Sequence, residues 1–190
     1  MLDVGGWYGG SMALKDCGFR TDRLEVNDWS RLLSGDSEAG MLNTFLVSLL
    51  SEAVTRDLPP GWQGAYDYER ASSWLAERRS EGEALLIVDR SDGRPVGVLI
   101  VAESENIDGH LDIRLGYLIH ESAWGRGFAT EVVAGFVDWC RTTQAVRSIS
   151  GGVTESNAAS ARVLQKNGFV PANSAVDPHD EVRYTLTLAP

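Results

Sequence analysis

Apolar and polar residues change their period several times along the chain, and the changes mark out its elements. Residues 19–26 (FRTDRLEV) alternate with the two-residue rhythm of a strand, residues 27–30 offer helix-start side chains, and residues 41–53 repeat apolar positions at helical spacing. Residues 56–66 (RDLPPGWQGAY) carry Pro-Pro and two glycines and read as a lid-like loop, after which Ala71, Trp74 and Leu75 share one side of a helix over 68–79. Two aliphatic runs, 84–89 and 95–102, flank RSDGR, whose Asp-Gly pair marks a hairpin turn. Residues 111–119 place Leu111, Ile113, Leu115, Tyr117 and Ile119 opposite Asp112, Arg114, Gly116 and Leu118, a strand with two chemically different faces. A helix over 127–142, a strand over 148–153, a helix over 158–166 and a last strand over 182–188 complete the pattern.

Antiparallel strands followed by strand, helix, strand, helix, strand predict an α/β fold, a mixed and mostly antiparallel sheet flanked by helices. Residues 1–18 are Gly-rich without a sustained period and read as an extension ahead of one domain over 19–190. Lys and Arg number 17 against 27 Asp and Glu, a formal charge of -10. Such a balance repels phosphate backbones and anionic lipid surfaces, so neither nucleic acid nor membrane is expected as a partner. It also concentrates cationic amines, although solubility alone is a sufficient reason for it. The two cysteines, Cys17 and Cys140, lie outside any CxxC spacing, and His110, His120 and His179 show no metal-ligand spacing, so no metal is expected. With no apolar run of membrane-spanning length and no secretory signal pattern, a cytoplasmic location is expected.

The most informative stretch is HESAWGRGFATEVVAGFVDWC, residues 120–140, where a strand leads through a glycine-containing turn into a helix. Gly125 and Gly127 let the backbone approach a ligand, and the first helical N–H groups point outward with the positive end of the helix dipole, a setting for a diphosphate. Ala129 keeps the surface low, Thr130 offers a hydroxyl and Arg126 a positive charge. A Rossmann turn fits less well, because three glycines and a following acidic strand end are missing. Here the chain resembles the GNAT acetyltransferases, whose coenzyme-A loop is matched by Trp124-Gly125-Arg126-Gly127-Phe128-Ala129 at Gly127 and Ala129. Trp124 stands where Gln or Arg is usual, and this version, continuing into Thr130 and Glu131, is similar to the RimJ/RimL branch that acetylates ribosomal-protein N-termini.

A second motif, GGVTESNAASARVLQKNGFV over 151–170, matches the family at Thr154, Asn157, Ser160, Lys166, Gly168 and Phe169. By itself Asn157 reads as a helix N-cap; the resemblance sets it beside the pantetheine arm. The resemblance spans about 19–188 and implies the GNAT acyl-CoA N-acyltransferase fold. It also implies acetyl-CoA as cosubstrate, backbone pairing with pantetheine at the strand end from Tyr117 to Ile119, with Leu118 and Ile119 as cofactor-binding residues, and a homodimer. The implied reaction is direct attack of a primary amine, from a protein N-terminus or a small molecule, on the thioester. Asp112 or Glu103 is then the proton acceptor, each with a competing reading as a solvated strand carboxylate, and Arg114 stands where relatives often carry Glu. Ser160 is the candidate donor to the departing thiolate, with Tyr117 as the alternative, whose alternation otherwise suggests core packing. Cys140 reads as a buried structural thiol. The alternative function is a non-catalytic acyl-CoA-binding sensor module, and a third is a peptide-docking domain using Trp62 and Tyr66.

Overall fold

The computed structural model describes residues 14, 17–29, 36–105, 110–143, 145–172 and 181–188. The amino-terminal segment outside these, Ser30 of the expected helix start, and His179 lie outside the described residues. The chain runs β1 (Phe19–Arg20), β2 (Leu24–Asn27), α1 (Asp36–Leu49), α2 (Glu52–Thr55), a 3-10 turn at Pro60–Trp62, α3 (Tyr68–Glu81), β3 (Glu83–Asp89), β4 (Arg94–Glu105) and β5 (Leu111–Ile119). A second 3-10 turn at Glu121–Ala123 precedes α4 (Phe128–Thr142), β6 (Val146–Thr154), α5 (Ala158–Lys166), β7 (Val170–Pro171) and β8 (Glu181–Thr187). The eight strands form one sheet in the order β1-β2-β3-β4-β5-β6-β8-β7. Every neighbouring pair is antiparallel except β5 and β6, which α4 joins and which run parallel.

Strand alternation separates two cores. Leu99, Val101, Ile113 and Leu115 point to one face and meet Phe128, Val132, Val133, Phe136, Val137 and Cys140, the apolar stripe of α4, with Leu164 of α5. Val98, Leu118 and Leu86 point to the other and meet Leu46, Leu49 and Leu50 at the end of α1 and Ala71, Trp74 and Leu75 of α3. The helical layer on this second face covers the β3–β4–β5 half of the sheet. Leu14 and Cys17 fall within the expected extension, yet both are buried in the first core, so its packing begins before Phe19.

Three elements differ from the sequence pattern for local reasons. The single strand expected over 19–26 is two short strands folded on each other, because the Thr21 hydroxyl accepts from Leu24 N–H at 3.0 Å and closes a turn that competes with extended backbone. The helix expected over 41–53 breaks before Ser51, whose hydroxyl caps α2 by accepting from Val54 N–H at 3.3 Å. The edge strand β7, only two residues long, carries no periodic signal. The Asp-Gly hairpin forms where expected, with Gly93 at φ +72°.

Two acidic residues pin distant turns to the start of α4. Glu131 accepts from the Thr21 hydroxyl at 2.5 Å, from Arg23 N–H at 2.9 Å and from Arg23 Nε at 2.6 Å. Burial opposes its ionisation, and these donors together outweigh burial and hold its carboxyl below the ordinary range. Asp89, only 3% exposed, ends β3. It accepts from Ser91 N–H at 3.0 Å, the Ser91 hydroxyl at 2.7 Å and Arg126 Nη2 at 2.8 Å. The two Ser91 hydrogen bonds are the main cause of its lowered pKa, burial opposes them, and Arg126 adds to them. A carboxylate whose folded pKa is depressed stabilises the fold above its ordinary pKa of 3.8 and ceases to do so as the pH falls through the folded value. Asp89→Asn is therefore expected to lower the melting temperature by a few degrees at pH 7, with the gap from wild type closing in acid, as read by thermal denaturation across pH; a gap constant with pH would contradict this.

Candidate functional site

The pairing of β5 changes partner along its length. Its first half pairs with both β4 and β6, but the ladder with β6 stops at Arg114↔Ser150, beyond which β5 pairs only with β4 and β6 only with β8. The strands diverge and leave a gap. Leu111 N–H donates toward β6, to Ala145 O at 2.9 Å, whereas His120 N–H donates toward β4, to Val96 O at 2.8 Å. Backbone groups alternate sides along a strand, so Tyr117 and Ile119 direct theirs into the gap and Leu118 directs its own to Val98. Trp124 Nε1 donates to the Ile119 carbonyl at 2.7 Å, and with the β6 ladder ended the N–H groups of Tyr117 and Ile119 have no strand partner among the described residues. The free backbone donors thus flank Leu118, whose side chain is buried in the second core.

Above the gap, the chain turns from β5 into α4. Gly125 and Gly127 have φ of +74° and +81°, left-handed values that a side chain would strain, and Gly127 is the N-cap of α4 with no side-chain cap bond. The first intrahelical bond here is Glu131 N–H to Gly127 O at 3.1 Å, so the N–H groups of Phe128, Ala129 and Thr130 are the helix's open donors. Anions are stabilised at such a terminus by those donors and by the dipole. The Phe128 side chain is buried, so it offers the site only its backbone. Two guanidiniums lie over its ring, Arg126 at 4.3 Å and Arg23 at 4.8 Å from the centroid, and Arg23 Nη1 donates to Arg126 O at 2.9 Å. Arg126, expected as a positive charge for phosphate, is thus partly committed to Asp89. Arg23 comes from the β1–β2 turn over a hundred residues earlier, and no local pattern in the sequence marks it. Trp124 is 45% exposed and stands at the rim.

On the α5 side of the gap, the Tyr117 hydroxyl donates to Ser160 Oγ at 3.1 Å, so the two alternative proton donors are one hydrogen-bonded pair. Tyr117 packs against the first core, as its alternation predicts, and burial raises its pKa while the Ser160 hydrogen bond offsets part of that rise. The group is held neutral, as a donor must be, and the Ser160 hydroxyl hydrogen is left to point elsewhere. Asn157 caps α5, its Oδ1 accepting from Ser160 N–H at 3.0 Å, which also fixes Ser160 at the helix start.

The expected proton acceptors are not brought together. Asp112 lies on the face opposite Tyr117 and accepts from the Ser148 hydroxyl at 2.6 Å, below Arg114 and away from the gap. Glu103 pairs with Ile113 and alternates with Leu99 and Val101, so it sits on the α4 face, with β5 between it and β6. Arg114 Nη2 instead reaches Glu181 of β8 at 3.7 Å, a residue the sequence pattern did not single out. Cys17 and Cys140 are buried, and burial raises both thiols, Cys140 to about 12, which makes neither a nucleophile. His110 is exposed, and among the described residues no group of metal-ligating side chains gathers and no helix is long and apolar enough to cross a membrane.

The α1–α2 corner spans the mouth of the gap. Ser51 donates to Glu121 just beyond β5, the Ser156 hydroxyl beyond β6 donates to Asp57 at 2.9 Å, and Phe45 stacks on His120 at 6.3 Å. A hollow of about 480 Å³ lined by Ser51, Glu52, Ala53, Arg56 and Glu121 opens there. The loop expected as a lid over 56–66 is anchored by Trp62, edge-on to Trp74 at 5.5 Å.

The family model "Acetyltransferase (GNAT) domain" matches residues 39–170. No curated protein matches the chain by sequence. Among solved structures, the ribosomal-protein alpha-N-acetyltransferase RimL in complex with coenzyme A aligns with TM-score 0.71 at 17% identity, covering 90% of this chain and 98% of the other. A GNAT acetyltransferase from Bacillus anthracis aligns with TM-score 0.69 at 13% identity, over 90% and 98%. An aminoglycoside acetyltransferase in complex with ribostamycin and coenzyme A aligns with TM-score 0.65 at 17% identity, over 87% and 94%. These identities establish a shared fold, and the family match over more than half the chain establishes the rest: the protein belongs to the GNAT acetyltransferases.

Proposed function

We propose that the protein transfers acetyl from acetyl-coenzyme A to a primary amine, either a protein N-terminus or a small-molecule amine, by direct attack within the β5/β6 gap. The observation that carries this reading is the interrupted ladder, which ends at an uncapped helix start on one side and at the Tyr117–Ser160 pair on the other. Backbone donors over 127–130 hold the diphosphate, with Gly125 and Gly127 giving close approach and Arg126 and Arg23 at the flank. The N–H groups of Tyr117 and Ile119 pair with the pantetheine amides, while Trp124 closes the rim and Asn157 keeps α5 in place. Acetyl-coenzyme A supplies an activated thioester, so no covalent enzyme intermediate is needed. Tyr117 and Ser160 supply the proton that the departing thiolate takes. Glu52, Glu121 and Arg56 line the hollow at the mouth, a polar setting open to an acceptor that carries charge.

Calorimetry with coenzyme A tests the first part: saturable binding is expected, and coenzyme at a hundredfold excess over Kd should stabilise the fold by about 2.7 kcal/mol. Absence of both effects sinks the reading. For the chemistry, Tyr117→Phe is expected to leave coenzyme affinity near wild type while lowering kcat roughly 100-fold. Full turnover in both Tyr117→Phe and Ser160→Ala, measured as thiol release with an acceptor, would remove the pair from the mechanism.

A further inference from the structure

We propose that Glu181 receives the acceptor, its carboxylate binding the incoming ammonium and taking the proton that the amine must lose. This rests on the acetyl-transfer reading above and assigns the group that the reading leaves open.

The face of the sheet opposite α4 and α5 is built, at the point where β5 and β6 part, from very small residues. Continuing the parallel register two residues past Arg114↔Ser150 sets Gly116 against Gly152, so both lips of the gap lack side chains there. A Cβ at Gly116 would meet only Ile100, at 3.9 Å, which leaves open space on the β5 lip. On the β6 lip the space is taken: a Cβ at Gly152 would collide with Glu181 Oε2 and come within 3.8 Å of Arg114 Nη2. Glu181 reaches this place from β8, where it pairs with Thr154, and lays its carboxylate over the bare backbone of Gly152. Its side chain is 14% exposed and accepts no hydrogen bond among the described residues, and its contact with Arg114, 55% exposed, is 3.7 Å long. A largely buried carboxylate with unfilled acceptor capacity and one loose cation is placed to take a charged N–H donor.

Four other carboxylates near the gap are occupied or misplaced. Asp112 accepts from Ser148 one row below Arg114, Glu121 accepts from Ser51, and Asp57 accepts from Ser156. Glu103 lies on the α4 face. Glu181 and the Tyr117–Ser160 pair stand on opposite faces of the sheet at the same gap, which suits an amine arriving from one side and a thiolate departing on the other. The ammonium gives one proton to Glu181, and the freed lone pair forms the C–N bond to the acetyl carbon. The C–S bond then breaks, and sulfur leaves with its electron pair and takes a proton from the hydroxyl pair. The second nitrogen proton restores that pair as the amide forms, so the net release is the one proton held by Glu181, which passes to solvent.

Two variants test the assignment, with ribostamycin, spermidine and short peptides with free N-termini as acceptors. Glu181→Gln keeps shape and removes the charge and the basic oxygen; Gly152→Ala keeps the carboxylate but pushes it aside. The atom that the added methyl displaces is the end of a flexible side chain, so the fold tolerates the change. Both variants are expected to lower kcat/KM for the acceptor by about 100-fold while the melting temperature and the coenzyme Kd stay at wild-type values. Wild-type kcat/KM in either variant overturns the proposal, and so does a fall that is matched by a weaker coenzyme Kd. Failure of the acetyl-transfer reading shows separately and earlier, as unmodified protein that releases no thiol with any acceptor, and overturns both.

Discussion

A parallel ladder that stops halfway is the constraint on which the site depends. Unpaired backbone N–H groups inside a protein cost free energy unless something else pairs with them, so a sheet interrupted in its middle invites a ligand with amide character. The interruption is held open from several directions. Trp124 takes the Ile119 carbonyl and closes that end of β5, and Gly151 brings β6 near Leu115 at the apex, where a Cβ would lie 3.3 Å from both Leu115 O and Leu164 Cδ1. At the open end, the α1–α2 corner is tied to Glu121 on one lip and to Ser156 on the other.

The charges around the turn into α4 are nearly balanced, which bears on how that turn can attract an anion. Arg126 faces Asp89 and Arg23 faces Glu131, so the two guanidiniums are fixed in place by buried or half-buried carboxylates. Under a net charge of -10 the long-range field repels anions. An anion at the start of α4 would be held by short-range directional donors, because the N–H groups and helix dipole act within the first turn. The same arrangement couples the turn to the fold: loosening Asp89 or Glu131 frees Arg126 or Arg23 and with them the loop geometry.

The helical layer on the second face is held together by its own packing. Arg78, buried in α3, stacks on Trp62 at 4.1 Å and pairs with Glu81 at 2.7 Å, and Tyr66 lies beneath Arg70 at 4.1 Å. These contacts of packed aromatic rings and cations fasten the loop over 56–66 that the sequence marks as a lid.

Local chemistry was legible in the sequence wherever a short segment specifies its own conformation. Alternation in 111–119, the Asp-Gly hairpin, the apolar stripe of α4, the Asn157 cap and the Gly125/Gly127 turn all follow from neighbouring residues, and the resemblance built on the last two gave the family. What required the tertiary structure is set by pairing between distant strands. Only the register shows that β5 leaves β6 after Arg114, that Tyr117 rather than Leu118 presents its N–H to the gap, and that Asp112 and Glu103 lie off to the side. Arg23 reaches the turn into α4, and Glu181 the β5/β6 gap, from opposite ends of the chain, through a two-strand turn closed by Thr21 and through β8. Sequence periodicity fixes which way a side chain points from its own element, but which elements meet is decided by long-range pairing and packing, and that is where the site's charges were chosen.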